Sequence, residues 1–88
     1  MPAPKVTVYT TSYCPYCVRA KALLKRKGVD FEEIAVDGDD ARRLWLVEQT
    51  GRRTVPQVFA GDRSLGGFSD LDALDRAGKL DAILRGDG

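Results

Sequence analysis

The 88-residue chain is long enough for one small domain and too short for a large multi-site enzyme. Its 14 lysines and arginines face 13 aspartates and glutamates, a formal net charge of +1, so no global field would hold nucleic acid or an anionic membrane. The start "MPAPK" lacks the features of a signal peptide and no apolar stretch approaches the roughly 20 residues that span a bilayer, so we expect a cytoplasmic protein without membrane or nucleic-acid partners.

The chain begins with a predicted strand at Lys5–Thr10, where β-branched residues alternate with their neighbours. Two cysteines follow in a short loop. Beyond them apolar residues recur at helical spacing as far as Gly28, which is placed to end the helix. The inward positions of this first helix are Ala20, Leu23 and Leu24.

A second strand is predicted around Phe31–Val36, mixed enough in polarity to lie at a sheet edge. A second helix is predicted from Asp40 to Thr50 and is closed by a glycine. Its apolar residues Ala41, Leu44 and Val47 fit one face, which we expect to be the buried face. Trp45, one large apolar residue on this helix, is expected in the core.

Two short strands, Gln57–Ala60 and Arg63–Leu65, surround a tight Gly-Asp turn and predict a β-hairpin. A double glycine stops the hairpin. Ser69, with Asp72 three positions later, then resembles a capping box that opens the last helix.

The predicted order is β-α-β-α-β-β-α, a single α/β domain over residues 1–88. The first two strands should be parallel through a right-handed crossover and the last strands antiparallel, which gives a four-stranded mixed sheet with helices on both faces. The loop after the first strand then lies at the carboxyl edge of the sheet, where open α/β folds tend to place their sites.

Both cysteines lie in the C-x-x-C stretch "SYCPYCVR", and the chain has no histidine. A zinc site usually takes about four Cys or His ligands, which would require a second chain, so no metal is expected. A disulfide across so short a loop contributes little stability, and the cytoplasm keeps ordinary thiols reduced. The pair therefore predicts a disulfide that is made and broken in a redox reaction.

The nucleophile is predicted to be Cys14, directly before the first helix, with Pro15 at the first helical position. There its sulfur faces unpaired helical N–H groups and the positive end of the helix dipole, which favour the thiolate. Cys17, one turn later on the same side, is close enough to resolve a mixed disulfide formed at Cys14. Tyr13 and Tyr16 are expected to shape the surface around the site.

Three motifs occur in order: C-P-Y-C at Cys14–Cys17, T-V-P at Thr54–Pro56 and G-G-F-S-D at Gly66–Asp70. With them nearly the whole chain resembles a dithiol glutaredoxin of the bacterial glutaredoxin 3 kind, in the thioredoxin-like superfamily. The resemblance implies the thioredoxin-like fold and a cis peptide bond before Pro56, facing the active cysteine. It further implies a glutathione-dependent oxidoreductase that reduces glutathionylated and disulfide-bonded proteins, with glutathione as co-substrate; we expect a monomer.

The resemblance also implies a groove for glutathione. Its cysteinyl part would pair with the backbone of Val55 as a strand does. At its γ-glutamyl end, helix N–H groups near Ser69 would suit the carboxylate and Asp70 the ammonium, although Ser69 also reads as a plain N-cap. The expected contacts are Tyr16, Arg43, Thr54, Val55, Pro56, Gly67, Ser69 and Asp70.

The chain departs from the family at two positions. Relatives usually carry a lysine three positions before the first cysteine, where Thr11 stands here. The glycyl carboxylate of glutathione is then left to Arg43, with Arg53 as a helper, although either arginine alone also reads as a solvated surface charge. Phe68 replaces a third cysteine of many relatives, and its ring is expected to pack under the groove.

Two other functions remain open. An iron–sulfur cluster carrier would hold the cluster between two protomers through Cys14 and external glutathione, but relatives of that kind usually have a smaller residue than Pro15. A thioredoxin-like reductant, fed by a flavoenzyme or by another low-molecular-weight thiol, is compatible with the missing lysine at Thr11.

Overall fold

Residues 4–86, the part of the chain that the computed structural model describes, contain four strands and four helices. They are β1 Val6–Thr10, α1 Pro15–Arg26, β2 Phe31–Ala35, α2 Asp40–Thr50, β3 Gln57–Ala60, β4 Arg63–Gly66, α3 Phe68–Arg76 and α4 Leu80–Arg85. The predicted order is confirmed as far as the final helical segment, which is two helices. Between α3 and α4 the backbone turns at Gly78, whose φ of 73° is left-handed.

The strands form one mixed sheet in the order β2-β1-β3-β4. β1 pairs with β2 in parallel, from Val6 opposite Phe31 to Thr10 opposite Ala35, and α1 is the crossover between them. β1 pairs with β3, and β3 with β4, in antiparallel register. The mixed sheet expected from the sequence is therefore confirmed, with β2 at an edge.

Successive side chains of β1 serve opposite faces of the sheet, because a strand alternates its side chains. Val6 and Val8 belong to the larger apolar cluster, which α1, α3 and α4 cover, whereas Tyr9 belongs to a smaller cluster on the α2 side. The smaller cluster contains Tyr9, Val36, Leu46 and Phe59. Helices thus lie on both faces, as predicted.

The buried face of α2 differs from the prediction. Leu46 is 4% exposed and is the buried residue of this helix, whereas Leu44 is 60% exposed. Trp45 is not a core residue: it is 39% exposed, with its ring centroid 5.7 Å from those of Tyr9 and Phe59. Within residues 4–86 the smaller cluster has four buried members, so α2 needs only a narrow apolar stripe to cover it. Trp45 packs at the exposed edge of this cluster, beside Tyr9 and Phe59.

None of the helices within residues 4–86 combines the length and the apolar character that a membrane crossing requires.

Candidate active site

Cys14 is the N-cap residue of α1, with extended backbone (φ −153°, ψ 102°) and Pro15 as the first helical residue. As the sequence predicts, its Sγ accepts a hydrogen bond from a free helical amide, the N–H of Cys17, at 3.2 Å. As a thiol, Cys14 also donates to the carbonyl of Val55 at 3.6 Å. The sulfur is partly exposed and lies between a helix start and the segment before β3.

Cys17 lies in the first turn of α1 and is 2% exposed. Its burial and its hydrogen bond with Cys14 raise the pKa of the Cys17 thiol from 9.0 to about 12. The backbone amide of Thr11 and the charge of Lys21 act in the opposite direction, but more weakly. One cysteine is thus accessible beside amide donors, and the other is a protonated thiol at neutral pH.

The T-V-P segment brings a backbone carbonyl, that of Val55, to the sulfur of Cys14. The Val55–Pro56 peptide bond is cis, as the resemblance implied. Behind the segment, fully buried Gln57 donates from Nε2 to the carbonyl of Thr54 at 2.9 Å. Sequence reasoning missed this support, for which the signal was one polar residue in an otherwise apolar strand.

The start of α3 differs from the prediction. The N-cap is Gly67 rather than Ser69, and the carboxylate that folds back to the N-cap amide belongs to Asp70, at 2.9 Å from the Gly67 nitrogen. Asp72 instead pairs with Arg76 one turn further on. Because the helix begins two residues earlier than Ser69 predicted, Ser69 is exposed in its first turn.

An ion pair joins this helix start to the segment before the T-V-P motif. The Nη1 of Arg52 lies 2.5 Å from the Oδ2 of Asp70, the same oxygen that accepts from Gly67. The Arg52 guanidinium and then the Gly67 amide hold the pKa of the Asp70 carboxyl below its usual value. Sequence reasoning singled out Arg53 and missed Arg52, and two consecutive arginines offered no signal to separate them.

Two adjoining grooves, each of about 300 Å³, share Arg52, Thr54 and Val55 as lining residues. One runs from Tyr16 to the helix start at Gly67, Ser69 and Asp70 and also contains Pro56. The other contains Arg43 and Arg53 over the apolar side chains of α2. All eight residues expected to contact glutathione line one groove or the other, whereas Thr11 and Pro15 line neither.

Three aromatic residues, Tyr13, Tyr16 and Phe68, belong to the segments that form the candidate site. The ring of Tyr16 lies 6.3 Å from that of half-buried Phe68, which packs against the larger core cluster. The guanidinium of Arg19 lies over the Tyr16 ring, 5.3 Å from its centroid. Tyr13 is 89% exposed. Among residues 4–86, no three histidine, cysteine, aspartate or glutamate side chains are grouped as metal ligands would be.

Comparison with known proteins gives one consistent result. The family model described as Glutaredoxin matches residues 6–65. A glutaredoxin of Pseudomonas aeruginosa is 58% identical over 81 residues, which cover 92% of this chain and 96% of that protein. Glutaredoxin 3 of Escherichia coli K12 is 50% identical over 80 residues, or 91% and 96% of the two chains. The crystal structure of a buckwheat glutaredoxin–glutathione complex superposes with a TM-score of 0.89 at 35% identity, over 97% of this chain and 80% of that one.

Proposed function

The chain belongs to the glutaredoxin family, and from this premise we propose that it is a glutathione-dependent thiol–disulfide oxidoreductase acting through its C-P-Y-C dithiol. One observation carries the proposal. The sulfur of Cys14 contacts a helix amide and the carbonyl of Val55, and Val55 lines the groove whose residues the family resemblance assigns to glutathione. The nucleophile and the binding surface are therefore adjacent.

Reduction of a glutathionylated protein begins at Cys14. Its thiolate attacks the glutathione sulfur of the mixed disulfide, so that a Cys14–glutathione disulfide forms and the substrate cysteine leaves as a thiolate that takes up a proton. A second glutathione thiolate then attacks the glutathione sulfur bound to Cys14. Oxidised glutathione leaves, and Cys14 returns to the reduced state.

A disulfide within a substrate protein needs both cysteines. Cys14 attacks one sulfur of the substrate, and the Cys17 thiolate then attacks Cys14, which closes the Cys14–Cys17 disulfide and releases the second substrate thiol. After burial, contributions from Cys14 itself raise the pKa of Cys17. The negative charge on Cys14 is lost in the mixed disulfide, so Cys17 loses its proton more readily at the step that needs it.

Glutathione is assigned to the two adjoining grooves. Its cysteinyl backbone pairs with Val55, and its γ-glutamyl ammonium meets the Oδ1 of Asp70, since Oδ2 is taken up by Arg52 and Gly67. The glycyl carboxylate is left to Arg43 and Arg53 in the second groove. The glutathione complex of the buckwheat glutaredoxin supports this assignment by analogy.

Single-cysteine variants test the function. In an assay with a glutathionylated peptide, glutathione and glutathione reductase, Cys14→Ser should lose all activity and Cys17→Ser should keep it. With a protein disulfide as substrate, both variants should be inactive. Equal activity of the two variants on the glutathionylated peptide would refute the assignment of Cys14.

The reductant is tested separately, because Thr11 stands where relatives carry lysine. The wild-type protein should turn over with glutathione and glutathione reductase and fail with thioredoxin reductase and NADPH alone. Equal rates with the two systems would favour a thioredoxin-like reductant instead.

A further inference from the structure

The loop that carries the nucleophile is anchored by a carboxylate from a different part of the chain. Three hydrogen bonds join Ser12, in the loop between β1 and α1, to Asp37, which follows β2. The Ser12 N–H lies 2.8 Å and 2.9 Å from the two carboxylate oxygens, and the Ser12 hydroxyl donates to Oδ2 at 2.8 Å. Both oxygens of Asp37 are therefore engaged two residues before Cys14.

Asp37 is itself held in place from behind. Its neighbour Val36 is fully buried, and the Val36 N–H donates to the carbonyl of Thr10 at 2.8 Å. The hydrogen bonds from the Ser12 N–H and hydroxyl, with a contribution from the charge of Arg43, lower the pKa of the Asp37 carboxyl. The anchor is thus ionised at neutral pH and fixed to the central strand of the sheet.

The β1–α1 loop needs such an anchor because the two residues before Cys14 are exposed to solvent. Ser12 is exposed and Tyr13 is 89% exposed, yet the next residue must keep its sulfur at the Cys17 amide and the Val55 carbonyl. We propose that Asp37 is a positioning residue for Cys14: by holding Ser12 it keeps the cysteine at the N-cap of α1, where its sulfur meets the Cys17 N–H and the Val55 carbonyl. This inference rests on the proposed function only in taking Cys14 as the nucleophile.

Alkylation of Cys14 by iodoacetamide tests the proposal without glutathione. The reduced wild-type protein is compared with Asp37→Ala, which removes the acceptor, and with Asp37→Asn, which keeps an acceptor for the Ser12 N–H. Rates are followed by mass spectrometry of the Cys14 peptide at neutral pH. Asp37→Ala should slow alkylation at neutral pH by about 3- to 10-fold, because the sulfur is no longer held at the start of α1, and Asp37→Asn should stay within about 2-fold of wild type.

Asp39→Ala is the matched control. Asp39 lies two residues further along the same connection and accepts from the Arg42 N–H at 3.0 Å as the N-cap of α2. This variant should lose thermal stability but alkylate at the wild-type rate. A second variant of the loop, Ser12→Ala, removes one of the three hydrogen bonds and should fall between wild type and Asp37→Ala, which keeps the test decisive if Asp37→Ala does not fold.

Three results would overturn the inference. The first is a wild-type alkylation rate in Asp37→Ala. The second is a rate that falls as much in Asp37→Asn as in Asp37→Ala, and the third is a rate that falls as much in Asp39→Ala as in Asp37→Ala. If Asp37→Ala does not fold, a wild-type alkylation rate in Ser12→Ala would overturn the inference instead. Failure of the proposed function would look different, because it would show as wild-type protein without glutathione-dependent turnover or as activity retained in Cys14→Ser.

Discussion

Cys14 lies partly exposed just before α1, and Cys17 lies buried in its first turn. The difference follows from where the helix begins. An N-cap position has free amides in front of it and solvent beside it, whereas the same side of the helix one turn later turns towards the interior. Three positions along the chain therefore separate a partly exposed cysteine, whose sulfur accepts from an amide, from a buried thiol that is protonated at neutral pH.

At the same scale, Arg52 and Arg53 are adjacent and chemically identical, yet only Arg52 pairs with Asp70. Arg52→Ala should raise the pKa of the Asp70 carboxyl towards its ordinary value of 3.8, because the Arg52 guanidinium is the largest cause that lowers it. Arg53→Ala should leave that pKa unchanged. Carbon-13 NMR titration of the Asp70 carboxyl in the two variants measures the difference.

The sign of the accompanying stability change follows from linkage. A carboxyl whose pKa is lowered by folding stabilises the protein above its unfolded pKa and loses that contribution as the pH falls through the folded value. Arg52→Ala should therefore lose less stability than wild type as the pH falls below 3.8. Identical Asp70 titrations in wild type and Arg52→Ala would contradict the assigned pair.

Among the elements, the start of α3 depends on backbone freedom at Gly66. Its φ is 87°, and a Cβ built at this position would overlap the carboxylate of Asp70 as it folds back to cap the helix. Gly66→Ala should therefore destabilise the protein by about 2–4 kcal/mol, through the left-handed backbone and the displaced carboxylate together.

Gly38→Ala separates the two causes. Gly38 has a similar φ of 68°, but nothing lies within 4 Å of a Cβ added there. This variant should cost only the backbone strain, about 1 kcal/mol. Urea unfolding gives both values, and equal losses would mean that the Asp70 carboxylate moves aside freely.

Two leucines of α2 test which face of this helix is buried. Leu46→Ala should lower the free energy of unfolding by about 2–4 kcal/mol, because it empties one of four buried positions in the smaller cluster. Leu44→Ala removes a side chain that is 60% exposed, so its cost should stay within about 0.5 kcal/mol. Urea denaturation checks both, and a larger loss for Leu44→Ala would restore the face predicted from the sequence.

Prediction from the sequence failed where a buried stripe is short or where the deciding contact joins residues far apart along the chain. Strands and α1 were predictable because each buries a regular stripe, as Val6 and Val8 do in β1. In α2 the stripe is too short for its periodicity to choose between Leu44 and Leu46. The Ser12–Asp37 and Arg52–Asp70 contacts join residues 25 and 18 positions apart, and no local pattern indicates such partners.

At the scale of the whole molecule, the candidate site and the apolar core lie in different parts of the fold. The two apolar clusters lie on opposite faces of the sheet, while the candidate site lies where three connections meet: the β1–α1 loop, the T-V-P segment before β3, and the β4–α3 turn. Cys17 belongs to both, because it is one of the two cysteines of the candidate site and is 2% exposed. The proposed chemistry and the stability of the fold are therefore coupled through this side chain.

That coupling predicts a loss of stability in alkaline solution. In the unfolded chain the Cys17 thiol ionises near its ordinary pKa of 9.0, whereas in the folded protein its pKa is raised to about 12. The contribution of a group with a raised pKa is complete below the unfolded value and is lost as the pH rises towards the folded value. Between pH 8 and pH 10 the reduced wild-type protein should therefore lose about 1 kcal/mol more than Cys17→Ala, measured by urea unfolding. The oxidised protein has no Cys17 thiol and should lack this contribution. Parallel pH profiles for reduced wild type and Cys17→Ala would show that Cys17 ionises as easily when folded as when unfolded.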